Sequence, residues 1–447
     1  MTDLATPTKA DLAHIPHLPT WPLVGHTLSL LRDPYRLHGR SESRLGQVYK
    51  ILLLGQWRVT LAGADAMDLI YGDPERILSS HHGWDMIHTL FPNGLMLRDF
   101  EDHRVHRRIM QSAFRKPVMD AYRERINALM PKMIDQWPVE KPFAFFPAIK
   151  ELTLRMGAAV FMGLEPDDPR VTRLNQAFQD EVNGAVGVIR KPLPFTALRR
   201  GQKARAYLLD FFRELIPERR ANPGNDFFSQ MCLAEDDTGA AWTEEEILDH
   251  FNFLMMAAHD TTAASLTKAI WALAAHPDWQ DRVEAEIRGL EGEPDSDEVQ
   301  SAMEVSGRVF REALRLLPPV PFIPRRTIKA FDWQGVHIPA GTWVSAAPGM
   351  VHMSPLYWSD PEEFDPDRFS PNRAEDRSHK YAWSPFGGGA HKCIGMHFAT
   401  MEAKIFLYHL LGRYRVELAR KRPVRWQRLP IPRPVGGLPI RLVAHKV

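Results

Sequence analysis

The segment "WTEEEILDHFNFLMMAAHDTTAASLTKAIWALAAHP", residues 242–277, constrains the fold more than any other stretch of the chain. Thr243 is placed to cap a helix, with Glu246 three residues on as its capping-box partner, and Trp242 and Ile247 stand where a hydrophobic staple needs them. Pro277 closes the run. At about 1.5 Å per residue, positions 243–276 make a rod about 50 Å long, with apolar residues on nearly every side. Such a helix must pass through the middle of a core.

The rest of the 447 residues supplies that core, being 44% hydrophobic and 25% charged, the composition of a globular chain. From about residue 100 the helical period recurs in "RVHRRIMQSAF", "AYRERINALMPKMIDQW", "RLNQAFQDEVNGAV" and "GQKARAYLLDFFRELIPERR". Strand signals are confined to "VYKILLLGQWRVTLAG" (48–63), broken at Gly55 and Gln56, to 325–348, and to "PRPVGGLPIRLVA" near the C-terminus. Prolines 16, 19 and 22 with Gly25 make residues 1–25 irregular. No repeat or low-complexity linker divides the chain, so the prediction is a mainly α protein with small β-sheets, a single domain over 1–447.

Net charge is +1, so nothing in the global balance calls for nucleic acid or a strongly anionic partner, no nucleic acid is expected, and partner arguments must rest on local patches. There is no signal-peptide pattern and no apolar run of about 18 residues, so a cytoplasmic protein without a membrane anchor is expected. Cys232 and Cys393 are too few for a disulfide framework, in keeping with a reducing compartment.

Two short clusters carry chemistry. In "FGGGAHKCIG", residues 386–395, Cys393 follows a run of glycine and precedes an apolar helical pattern. A thiolate there could bind a soft or redox metal, act as a nucleophile beside His391, or be an inert buried thiol; tetrahedral zinc would need three further ligands nearby. In "AAHDTT", residues 257–262, Ala257 and Ala258 leave room beside the backbone of the long helix. Either Thr261 and Thr262 return their hydroxyls to carbonyls one turn back and Asp260 reaches solvent at a helix edge, or the segment forms a groove that holds water and a small ligand.

Phe386, Gly389, His391, Cys393 and Gly395 match F-x-x-G-x-[RH]-x-C-x-G, and on these residues the sequence resembles the cytochrome P450 family of haem-thiolate monooxygenases. The resemblance implies the P450 fold around a buried haem b, the iron complex of protoporphyrin IX, with Cys393 as iron ligand and Phe386 near the sulfur. It implies that Gly387 lets the chain pass beneath the cofactor, that Gly395 leaves space beside the sulfur, and that His391 meets a propionate. Glu312 and Arg315 match the family's E-x-x-R and Arg368 its third member, implying a buried structural ion network. His103 and Arg107 stand at W-x-x-x-R, and Arg325 at another propionate-binding position. Ala257, Ala258, Asp260, Thr261 and Thr262 match [AG]-G-x-[DE]-T-[TS], with alanine for glycine at 258. The resemblance implies that O2 binds beside this groove, that Thr261 with ordered water delivers protons, and that Asp260 relays them. A thiolate ligand favours O–O cleavage.

The implied function is insertion of one oxygen atom of O2 into a C–H bond of a lipophilic substrate, fatty acid or isoprenoid/steroid-like. Its pocket is expected from Trp84, Ile87, Leu90, Phe91, Met255, Ala257, Val320, Phe322 and Ile431, which are apolar and aromatic. No flavin or iron–sulfur motif is present, so electrons are expected from an external partner, a ferredoxin with its reductase. Arg104, Arg108, Arg115, Lys116 and Lys392 could form its basic docking patch, or be scattered surface charge, with Arg104 and Arg108 facing solvent. A hydrogen-peroxide-dependent peroxygenase and a non-enzymatic haem-thiolate sensor or carrier are the alternatives; the Asp260–Thr261 pair argues against both.

Overall fold

In the computed structural model, which describes residues 4–22, 24–187, 189–235, 239–420 and 422–445, the long helix runs from Glu244 to Ala275. Both halves of its capping box form: the Glu246 N–H donates to Thr243 Oγ1 at 3.2 Å, and the Thr243 N–H donates to Glu246 Oε2 at 2.9 Å. The reciprocal pair satisfies two N-terminal donors and fixes where the rod begins.

The chain divides into two compact units, residues 1–85, 311–393 and 426–432 in one, and 86–310, 394–425 and 433–447 in the other. The first is built on a five-stranded sheet in the order Val48–Leu53, Gln56–Leu61, Trp343–Ala346, Ile323–Thr327, Leu78–Ser79. Its hairpin pairs Leu53 with Gln56, so the turn is Leu54-Gly55, both at positive φ, rather than the Gly55-Gln56 pair. Gln56 opens the strand because the two left-handed residues of this turn, as in type I′, are Leu54 and Gly55. Val59, Leu61, Ile70, Val344 and Ala346 form the core beneath this sheet, each at most 2% exposed.

The second unit holds the long helix among Lys116–Ile134, Phe145–Phe161, Pro169–Ala185, Ala197–Ala221 and Met396–Leu411. Phe212, Phe227 and Phe228 surround Phe251 at ring distances of 4.7–6.4 Å, all but sealed from solvent. Each such ring contributes about 1.5–3 kcal/mol by burial, which anchors the N-terminal part of the rod. A three-stranded antiparallel sheet, Phe143–Ala144, Pro439–Ala444 and Tyr414–Leu418, completes the unit. Among the described residues no helix is long and apolar enough to cross a membrane.

Candidate functional site

The glycine-rich loop lies in the first unit. The Cys393 N–H donates to the Phe386 carbonyl at 2.8 Å, closing the loop, and the Phe386 ring sits 6.0 Å from Trp383. Protein packing demands two of its glycines: a Cβ on Gly389 would lie 1.7 Å from the Tyr71 carbonyl, and one on Gly388 would lie 2.6 Å from the Tyr381 ring. Gly387 has nothing closer than 3.8 Å, and its φ of +71° is what favours glycine. Beside Gly395 nothing lies within 4 Å.

The two cysteines differ sharply. Cys232 is buried, and burial pushes its thiol up to about 12, so it stays an inert thiol. Cys393 is exposed on its loop, three residues before the helix Met396–Leu411. Among the described residues no cluster of three or more His, Cys, Asp or Glu could hold a metal. A metal bound through Cys393 therefore brings its other ligands with it, as iron in a porphyrin does, and the loop fits that group.

Deeper in the same unit, Glu312 accepts two bonds from Arg315, Nε to Oε2 at 2.7 Å and Nη2 to Oε1 at 2.8 Å. Arg368 Nε reaches Glu312 Oε1 at 3.2 Å, and all three side chains are at most 1% exposed. The arginines continue to backbone: Arg315 to the carbonyls of His352, Pro361 and Glu363, Arg368 to those of Ser359, Asp360 and Glu363. One carboxylate thus pins the irregular segment 352–368 that leads toward the cysteine loop. Arg325, 5% exposed, is a sheet residue whose Cα would lie 2.6 Å from a Cβ on Gly83, and His391 is half-buried.

In the second unit, His103 is buried and Arg107 half-buried on Phe100–Gln111, one turn apart on one face. Arg104 and Arg108 are exposed, and Arg104 grips Glu101 at 2.5–3.0 Å. Thr261 donates to the Ala257 carbonyl at 2.7 Å and Thr262 to that of Ala258 at 2.8 Å, the back-bonding pattern, while the helix continues unbroken. Asp260 is buried, not at a solvent edge: its Oδ1 lies 2.6 Å from Lys150 Nζ and 3.5 Å from His259 Nε2. Burial acts to raise the Asp260 carboxyl, but His259, Lys150 and Arg433 outweigh it and hold it below the ordinary range.

The expected pocket residues separate. In the second unit Ile87, Leu90, Phe91 and Met255 are core residues; Phe91 packs edge-on to Phe253 at 6.3 Å, and Leu90 closes over Gly184 and Gly201. Ala257 keeps partial exposure. In the first unit Trp84, Val320, Phe322 and Ile431 are half-buried, with Phe322 4.7 Å from the His38 ring.

Lys150, His259 and Glu402 were given no role by the sequence. Lys150 sits on another helix 110 positions from its partner, which no local pattern reveals. Glu402 did leave a signal: it falls one turn after Phe398, among apolar positions of its helix.

A family model described as Cytochrome P450 matches residues 16–431. The chain belongs to the cytochrome P450 family. Cytochrome P450 136 of Mycobacterium tuberculosis is 40% identical over 432 residues, covering 94% of this chain and 87% of that protein. Pentalenene oxygenase of Streptomyces avermitilis is 29% identical over 413 residues, covering 90% and 91%. The structure of retinoic acid-bound cyanobacterial CYP120A1 superposes with a TM-score of 0.87 at 28% identity, covering 96% of this chain and all of that one. This P450 is accordingly a monooxygenase that uses cysteine-ligated haem iron, O2 and an external electron donor.

Proposed function

We propose that this P450 hydroxylates an unactivated C–H bond of a lipophilic, isoprenoid-like substrate, and that it works as a single catalytic domain in the cytoplasm. When bound, the haem supplies oxygen activation, with Cys393 as the electron-donating ligand. His103, Arg107, Arg325 and His391 are assigned to its propionates, because guanidinium and imidazolium groups pair with carboxylate. Phe386 shields the sulfur side, and Ala258 with Ala257 keeps the long helix slim enough for O2 and substrate to approach.

The observation that carries the reading is the Asp260 ion pair. A buried carboxylate paired to Lys150, whose side chain is 22% exposed, stands next to Thr261 in the middle of an apolar helix. Solvent protons can reach Lys150, pass to Asp260, and be held at Thr261 Oγ1, which can give up its bond to the Ala257 carbonyl. A peroxide-driven enzyme or a carrier needs no such proton entry.

The isoprenoid assignment rests on the names of two relatives, pentalenene oxygenase and the retinoic acid-bound CYP120A1. It is tested by scoring terpenes, retinoids, steroids and fatty acids for a spin-state shift of the purified protein, then identifying products made under labelled O2. Fatty acids shifting the spectrum while isoprenoids do not would overturn it. For the electron donor we assign a ferredoxin. Arg108 and Arg115 are exposed, so their charge is accessible to an acidic partner. Unchanged reduction of Arg108→Glu/Arg115→Glu by ferredoxin would refute that footprint.

A further inference from the structure

In the first unit, residues 4–20 form a strap tied to the five-stranded sheet and to the short strand Val336–Ile338. Arg326 Nη2 donates to the Leu4 carbonyl at 2.7 Å and to Thr6 Oγ1 at 2.9 Å, His14 Nε2 to the His337 carbonyl at 2.7 Å, and the Lys50 N–H to the Pro16 carbonyl at 2.9 Å. Backbone meets backbone at Gly341, whose φ is +78° and where a Cβ would lie 1.9 Å from the Ala5 carbonyl. Leu12 and Ile15, at most 2% exposed, join the core beneath the sheet. Thr8 closes the strap's own turn, its N–H and its hydroxyl both donating to Asp11 Oδ2 at 2.8 Å.

Between strap and sheet these ties leave a cavity of about 450 Å³. That lies within the ~300–1,000 Å³ of small-molecule sites, and such sites join apolar walls to a few polar groups. Leu12, Leu52, Trp57 and Trp343 supply apolar and aromatic surface here, and Lys9 supplies a charge. No carboxylate lines the cavity, and none of its residues is among those assigned above to the haem or the substrate.

The charge on this wall is uncompensated. Lys9 is exposed and has no ion pair among the described residues, since the nearest acid along the chain, Asp11, is turned to Thr8. Lys50, 3% exposed, holds its ammonium 4.9 Å from the centre of the Trp57 ring and donates to the Leu12 carbonyl, so it joins two of the lining residues. Burial, and after it the charge of Lys9, holds the Lys50 ammonium below its ordinary value. Two ammonium groups that repel one another and meet no carboxylate attract an anion. Lys50 already has the Leu12 carbonyl, so the charge open to a ligand is that of Lys9, which matches the single charge of a carboxylate.

We propose that this cavity is a small-molecule site for a lipophilic carboxylate, its chain against Leu12, Leu52 and Trp57 and its head group on Lys9. The ligand would join strap to sheet through surface that water otherwise covers. This inference stands apart from the substrate reading given above.

The test uses the haem-loaded protein with its iron held by a saturating neutral azole, so that a carboxylate is kept out of the catalytic pocket. Calorimetric titration with monomeric decanoate should show one binding event, weakened about tenfold or more in Lys9→Glu, and decanol should bind wild type about tenfold more weakly than decanoate does. Because Lys9 is exposed and unpaired, K9E should keep the wild-type Tm and, without decanoate, the wild-type turnover. A photoreactive diazirine analogue of decanoate should label residues 6–20 and 52–57 of wild type. No binding in the presence of the azole, equal affinity in K9E, equal affinity for decanol, or labelling confined to other segments each overturns the proposal. Sedimentation with phosphatidylglycerol vesicles, with the strap unlabelled by the monomeric analogue, would assign the cationic face to a lipid surface and overturns it as well. Failure of every isoprenoid to be hydroxylated would leave these results untouched, because the catalytic pocket is closed during the measurement.

Discussion

Replacing Glu312 by Gln tests the energetic account of the cysteine-side unit most directly. The substitution keeps the shape and one acceptor but removes the charge that faces Arg315 and Arg368, both at most 1% exposed. Stranding a buried charge costs about 3–5 kcal/mol. Their bonds to backbone carbonyls remain, so the lower end of that range is expected. The consequence in temperature depends on what unfolds together. For the unit of about 175 residues, at about 2.1 cal/mol/K per residue, the unfolding entropy is about 0.37 kcal/mol/K, and 3 kcal/mol lowers its Tm by about 8 °C. If all 447 residues unfold as one, the same loss lowers Tm by only about 3 °C. Urea denaturation followed by circular dichroism gives the free energy, and calorimetry gives the shift. An E312Q loss under about 1 kcal/mol would refute the claim that this carboxylate pins segment 352–368. The exposed Arg104–Glu101 pair is the control: Arg104→Ala should leave Tm within about 1 °C.

Three further outcomes follow from the same geometry. Thr261→Ala should raise peroxide released per electron consumed while changing stability by less than about 1 kcal/mol, because its hydroxyl only back-bonds to Ala257; unchanged coupling would remove Thr261 from the proton path. Lys150→Met takes a stabilising cation from Asp260, so the acid limb of the pH profile of kcat/KM should move to higher pH; an unmoved limb would mean Asp260 does not titrate in turnover. His352 is buried, accepts the Ser384 N–H at 2.9 Å and is pushed by burial down to about 3. Between pH 6.5 and 3 the unfolded state binds its proton and the folded state does not, so stability falls on acidification through that window by about 1.4 kcal/mol per pH unit; His352→Gln should flatten the slope by that amount in pH-dependent urea melts.

Local rules sufficed wherever the cause was local. Thr243, Glu246 and Pro277 set the ends of the long helix through backbone donors within one turn, and the structure places those ends within a residue of the expectation. Glu312 and Arg315 share a helix face at i, i+3, so their pairing too was legible, and a motif supplied Arg368. The hairpin turn was misplaced by one residue because left-handed backbone at Leu54 is not a preference its side chain announces. The glycine run was legible as a requirement for glycine but not for its cause, since Tyr71 and Tyr381 crowd Gly388 and Gly389 from elsewhere in the fold.

By itself, then, the sequence determined the helix-rich architecture, the family and the glycine-rich loop that carries Cys393, because periodicity, caps and a motif of fixed spacing are properties of neighbours along the chain. Tertiary structure decided the electrostatics. Lys150 comes to Asp260 from another helix, and Glu402 shares a cavity with His259 from a third. Whether a carboxyl is an ion or an acid depends on which charges and how much water reach it, and those are set by distances between elements that no local spacing encodes.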